Sequence, residues 1–131
     1  MSLTLHHIGC LVNNIENAIA DYQILHPEGE ISEIYDIEAQ KVKVCFFSMG
    51  AVHMEFVAPY GPPSFLLERL KNNPGFYHIG VYVDNIDAEI DRLEEEGYRL
   101  INKFISVAFD NRHCAFLLNK ERHMIELIER G

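Results

Sequence analysis

The sequence predicts an α+β protein built from two copies of one β-α-β-β-β module. Three observations carry this: an internal repeat, the same order of strand and helix signals in both halves, and a proline-bounded connector between them. Residues 5–22, LHHIGCLVNNIENAIADY, are answered by residues 76–93, FYHIGVYVDNIDAEIDRL. Laid over one another without a gap, residues 7–22 and 78–93 agree at seven positions: His7/His78, Ile8/Ile79, Gly9/Gly80, Val12/Val83, Asn14/Asn85, Ile15/Ile86 and Ile19/Ile90. Composition alone gives roughly one such identity, so the agreement marks an internal repeat.

Each element follows in order. LHHIGCLV is a short β-rich apolar run. On a strand, His7, Gly9 and Leu11 share one face, while Ile8, Cys10 and Val12 share the other with His6 turned away from His7. The pair Asn13-Asn14 supplies a helix cap, and Glu16 lies near the positive end of the helix dipole. Ile15, Ala18, Ile19 and Tyr22 recur at helical spacing until HPEG breaks the helix. EISEIYDI, KVKVCFFSMG and AVHMEFVAP read as three strands. The second module repeats the order: YHIGVYV as a strand, Asp84-Asn85 as a cap, and a stripe of Ile86, Ile90 and Leu93 ending before Gly97. YRLINKFIS, HCAFLLN and HMIELIER are its remaining strands. The modules run from about 4 to 58 and about 76 to 130, with a connector of about 59–75 that carries one short amphipathic helix from Ser64 to Asn72. All of it reads as one domain spanning 1–131, long enough to bury a real core.

Composition narrows the function classes. Hydrophobic residues make up 48% and charged residues 24%, which is ordinary for a soluble globular chain. A net charge of −9 argues against nucleic acid, whose phosphates need a basic surface. No apolar run reaches the length of a membrane span, and MSLTLHH lacks the pattern of a signal peptide. Cys10, Cys45 and Cys114 sit in apolar stretches without a Cys-x-x-Cys pair, which fits a reducing cytoplasm.

The chemistry lies in four residues. The offset from His7 to His78 is 71, and the offset from Glu55 to Glu126 is also 71. Singly, a histidine at a strand edge is usually structural or solvated, and a glutamate in a strand is usually its polar face. The common offset changes this, because a duplicated backbone sets equivalent residues around one pseudo-twofold axis. Two histidines and two glutamates form a mixed nitrogen and oxygen set suited to one divalent ion, with Zn, Ni, Co, Mn and Mg as candidates. Two octahedral positions would stay open for water or substrate oxygens. His53 shares a strand face with Glu55, but a solvated role is favoured for it; His26, His113 and His123 fall in or near turns and receive no role.

With these residues the chain resembles the vicinal oxygen chelate superfamily, which includes glyoxalase I, methylmalonyl-CoA epimerase, extradiol dioxygenases and the bleomycin and fosfomycin resistance proteins. The resemblance runs from His7 to Glu126. It implies two βαβββ modules in a curved eight-stranded mixed sheet, with His7, Glu55, His78 and Glu126 as metal ligands. KVKVCFFSMGAVHMEFVAP, RLEEEGYRLINK and SFLLERLKNNPGFYHIG look most like the epimerase branch, and HMIELIE is shared with the glyoxalase branch. The activity implied is that of a metal-dependent isomerase, epimerase or lyase acting on a small carbonyl or thioester substrate, with Glu126 as both ligand and catalytic base.

One position departs from the epimerase pattern, which has a glutamate directly before the Gln or His of the lead-in to its third strand. Here Ala39 precedes Gln40, and Glu38 stands one residue earlier. On a strand that slip turns the side chain to the other face, so the second base is missing unless a bulge re-aims Glu38. Two other readings stay open. A non-catalytic binding protein of the bleomycin-resistance type would usually lose the metal set that this chain keeps. An extradiol-type dioxygenase would keep two histidines and one glutamate, whereas this chain has two of each. A sheet of two modules leaves apolar edges and faces to be covered, so a homodimer is expected.

Overall fold

The computed structural model describes residues 3–61, 65–72 and 75–131. Among them the chain order is β1 (Thr4–Leu11), α1 (Ile15–Leu25), β2 (Tyr35–Ile37), β3 (Val42–Met49), β4 (Val52–Pro59), α2 (Phe65–Asn72), β5 (Gly75–Val83), α3 (Ile86–Glu95), β6 (Arg99–Ser106), β7 (Arg112–Leu118) and β8 (Met124–Glu129). These are the two βαβββ modules that the repeat predicts, with the eight strands of mixed direction that the resemblance implies. No described helix is long and apolar enough to cross a membrane. The chain divides into two compact units, Ile8–Tyr77 and Met1–His7 with His78–Gly131, so the division falls inside β1 and β5.

In the unit Ile8–Tyr77, β2, β3 and β4 form an antiparallel ladder. Asn14 caps α1 by accepting a hydrogen bond from the Asn17 amide at 2.8 Å. The helix ends at Leu25 because Pro27 cannot continue it. Its Ile15 and Ala18 pack with Cys10, Cys45, Phe47, Met54 and Phe56 to form the core. Burial pushes the Cys10 and Cys45 thiols up, which suits their part as small buried apolar groups.

Two expectations fail here. The strand expected over 30–37 shrinks to Tyr35–Ile37 with one isolated bridge between Ile31 and Phe47. Ser32 is the cause: its amide donates to the Phe46 carbonyl, and its hydroxyl accepts from the Phe46 amide at 2.9 Å. A side chain thus takes a ladder position, and regular pairing stops. The second concerns Glu38–Gln40, the lead-in to β3 to which strand alternation was applied, which is a 3-10 turn. Lys41 then closes the turn in the left-handed region at φ 56°. The alternation rule applied to Glu38 and Ala39 has no strand to act on, and both side chains are exposed. The connector helix begins at Phe65; Ser64, where it was expected to start, lies outside the described residues.

In the other unit, β5 pairs with β8 in parallel, and β8–β7 and β7–β6 are antiparallel. Asn85 caps α3 by accepting from the Ala88 amide at 3.0 Å, and Glu129 Oε2 accepts from the Ile86 amide at 2.9 Å. Two N-terminal amides are thereby satisfied, and a carboxylate sits at the positive helix end. Ile86, Ile90 and Leu93 pack on Val81, Val83, Ala115, Leu117 and Leu127. Each of those helix side chains contributes about 1.5–3 kcal/mol of burial, which fixes α3 against the β5-β8-β7 face.

Candidate functional site

The parallel register of β5 and β8 builds the site. It pairs His78 with Met124 and Gly80 with Glu126. Residues two apart share a face, so His78 and Gly80 look the same way as Glu126. Gly80 has no side chain, and the His7 ring from β1 occupies that vacancy. A Cβ at Gly80 would lie only 2.5 Å from both Nδ1 and Nε2 of His7. Phe109 stacks on the His7 ring at 5.6 Å between centroids, and Phe116 meets His78 edge-on at 5.5 Å. Phe116 is also the β7 partner of Glu126. Aromatic side chains therefore wall the polar cluster from water.

Three polar atoms meet inside that wall. His7 Nε2 lies 2.9 Å from His78 Nε2 and 3.1 Å from Glu126 Oε1, and His78 Nε2 lies 3.4 Å from the same oxygen. His7 is 0% exposed, His78 5% and Glu126 3%. Unprotonated ring nitrogens this close would aim lone pairs at each other, so a proton or a cation must lie between them. Burial opposes ionisation of Glu126, but hydrogen bonds and charge from His7 and His78 outweigh it and hold the carboxyl down at about 2. Ligand atoms bound to an ion at about 2.0–2.1 Å stand about 2.8–3.4 Å apart in octahedral or tetrahedral arrangement. The three spacings match that range, so the residues fit a divalent ion.

The structure thus brings together three of the four predicted ligands, His7, His78 and Glu126, within one unit. Glu55 belongs to the other unit; it lies on β4 opposite Phe46 and is 5% exposed. His53, two residues before it, is half-buried with Nδ1 2.8 Å from the Ser48 hydroxyl. His6 overturns its expectation. Its Nδ1 lies 2.9 Å from Nδ1 of His7 instead of facing away. Sequence reasoning also missed Phe109 and the meaning of Gly80. The signal for Gly80 was present, since each repeated histidine is followed by Ile-Gly.

The profile of the glyoxalase, bleomycin resistance protein and dioxygenase superfamily matches residues 5–116, and the chain belongs to that family. An ethylmalonyl-CoA/methylmalonyl-CoA epimerase of Cereibacter sphaeroides is 31% identical over 99 residues, spanning 74% of this chain and 73% of the relative. Uncharacterized protein YqjC of Bacillus subtilis is 29% identical over 136 residues, spanning 95% of this chain and 91% of its own length. Among solved structures, a methylmalonyl-CoA epimerase of Streptomyces coelicolor in complex with 2-nitronate-propionyl-CoA superposes with a TM-score of 0.86 at 20% identity, covering 99% of this chain and 96% of that one. That likeness speaks for the fold.

Proposed function

We propose that the protein is a metal-dependent enzyme of the methylmalonyl-CoA epimerase and glyoxalase type. It removes a proton next to the carbonyl of a small thioester or carbonyl substrate and returns it through an enolate. The observation that carries this reading is the buried meeting of His7, His78 and Glu126 at 2.9, 3.1 and 3.4 Å. Glu55, the repeat counterpart of Glu126, is the fourth ligand in this reading. The ion is one of Zn, Ni, Co, Mn or Mg; when bound, it supplies a Lewis acid that stabilises negative charge developing on a carbonyl oxygen.

The chain's own residues do the rest. The Glu126 carboxylate is ionised at neutral pH and takes the α-proton: the C–H bond breaks, its electron pair enters the enolate, and an O–H bond forms on Glu126. The protonated carboxyl trades its proton with solvent and returns one to the same face of the enolate. Phe109 and Phe116 flank the two histidines. Ala39 stands where the epimerase pattern has a second carboxylate, and the neighbouring Glu38 lies exposed in a 3-10 turn; with Glu126 as the one base in this reading, exchange of the α-proton outruns inversion. The relatives named as acting on ethylmalonyl-CoA and methylmalonyl-CoA support a CoA thioester as the substrate class.

The same reading pairs two chains in a homodimer, supported by apolar side chains left in solvent, such as Ile24, Phe76 and Ile105 at 81%, 67% and 58% exposure. It places the protein in the cytoplasm, where three buried thiols outside any disulfide are stable.

Metal analysis of the purified protein, together with NMR of methylmalonyl-CoA in deuterated water, tests the proposal. It expects about one ion per chain, α-deuteration that stops on chelation, and recovery when cobalt is returned. A native protein that takes up no divalent ion and exchanges no proton would instead be a binding protein of the bleomycin-resistance type.

A further inference from the structure

We infer that His6 is a positioning residue for the metal centre: its Nδ1 accepts the Nδ1–H of His7 and so directs His7 Nε2 toward the ion. The inference rests on the metal reading above. His7 turns Nε2 toward His78 and Glu126, so Nε2 is the nitrogen that would meet a cation. A ligating nitrogen must offer its lone pair, which leaves the ring proton on Nδ1. His7 is 0% exposed, so that N–H needs an acceptor within the protein. His6 Nδ1 stands at 2.9 Å. For it to accept, His6 must carry its own proton on Nε2, so one ring tautomer fixes the other.

The His6 ring is itself held. It lies 5.0 Å from the Tyr82 ring and 5.4 Å from Phe109, between centroids. Phe109 also stacks on His7, so one aromatic side chain braces both imidazoles. Outer partners of this kind typically change metal affinity by about 10- to 100-fold when removed.

Two variants test it. His6→Leu removes the acceptor, whereas His6→Asn restores an oxygen near the Nδ1 position. Cobalt affinity is measured by competition with a chelator, and the His7 Nδ1–H resonance is followed by NMR in zinc-loaded protein. His6→Leu is expected to bind cobalt about 10- to 100-fold more weakly and to lose the slowly exchanging Nδ1–H signal. His6→Asn is expected to recover both to within a few fold. Wild-type affinity and an intact signal in His6→Leu would overturn the inference, as would His6→Asn binding no better than His6→Leu. Wild-type protein that binds no cobalt would overturn the metal reading itself, a result distinct from either.

Discussion

Replacing Gly80 by alanine puts the packing of the centre to a direct test. The new Cβ would sit 2.5 Å from Nδ1 and Nε2 of His7 and closer still to Cε1, against the 3.4 Å at which ordinary contact begins, so the ring must retreat by well over about 0.9 Å. It has little room: the ring is fully buried, stacked on Phe109 and bonded at both nitrogens. Overpacking of a closed site costs about 1–3 kcal/mol, and a displacement this large belongs at the upper end. Alanine in a strand regains about 0.5–1 kcal/mol of backbone entropy over glycine. The net loss is then about 2 kcal/mol, a fall in Tm of roughly 8 °C for a chain of this length. Cobalt affinity should fall with it, because Nε2 leaves its place beside His78 and Glu126. In a His7→Ala background the same change meets no ring and keeps only the entropy gain, so a double-mutant cycle followed by thermal unfolding should return a coupling of about 3 kcal/mol, the overpacking cost itself. An unchanged Tm and cobalt affinity in Gly80→Ala, or a zero coupling, would refute the reasoning.

Further outcomes follow from the same structure. Glu126→Gln should fold and keep an oxygen beside the two histidines, yet slow α-proton exchange at least about 100-fold, read by deuterium incorporation; a smaller loss would move the base elsewhere. Ala39→Glu should raise epimerisation of methylmalonyl-CoA relative to exchange, and wild-type protein that already epimerises rapidly would point to Glu38 or another carboxylate. Asp87 is held below its usual range by the Lys103 ammonium at 2.6 Å. Its folded value lies under its unfolded one, so it stabilises the fold above about pH 4 and loses that contribution as pH falls through the folded value. An NMR titration should show the Asp87 midpoint rise in Lys103→Ala; identical midpoints would dismiss the pair.

The repeat, the order of the elements, both asparagine caps and the ligand candidates are legible in the amino-acid sequence. These are local or periodic properties: a cap needs only its own turn, and a duplicated segment carries its offset openly. The stripe Ile86, Ile90 and Leu93 was legible for the same reason, since 3.6-residue periodicity is written along the chain. Tertiary structure alone decided that Ser32 interrupts the β2 pairing, because its partner Phe46 lies on another strand. It alone replaced strand by a 3-10 turn at Glu38–Gln40, which strand alternation cannot foresee. It also turned His6 toward His7, against the two-face rule, because Tyr82 and Phe109 fix where the rings rest. Gly80 stands between the two cases. Its repetition was visible in the sequence, but its reason was not: the space it leaves is filled by a histidine from the other copy of the repeat, and only packing reveals which atom needs the room.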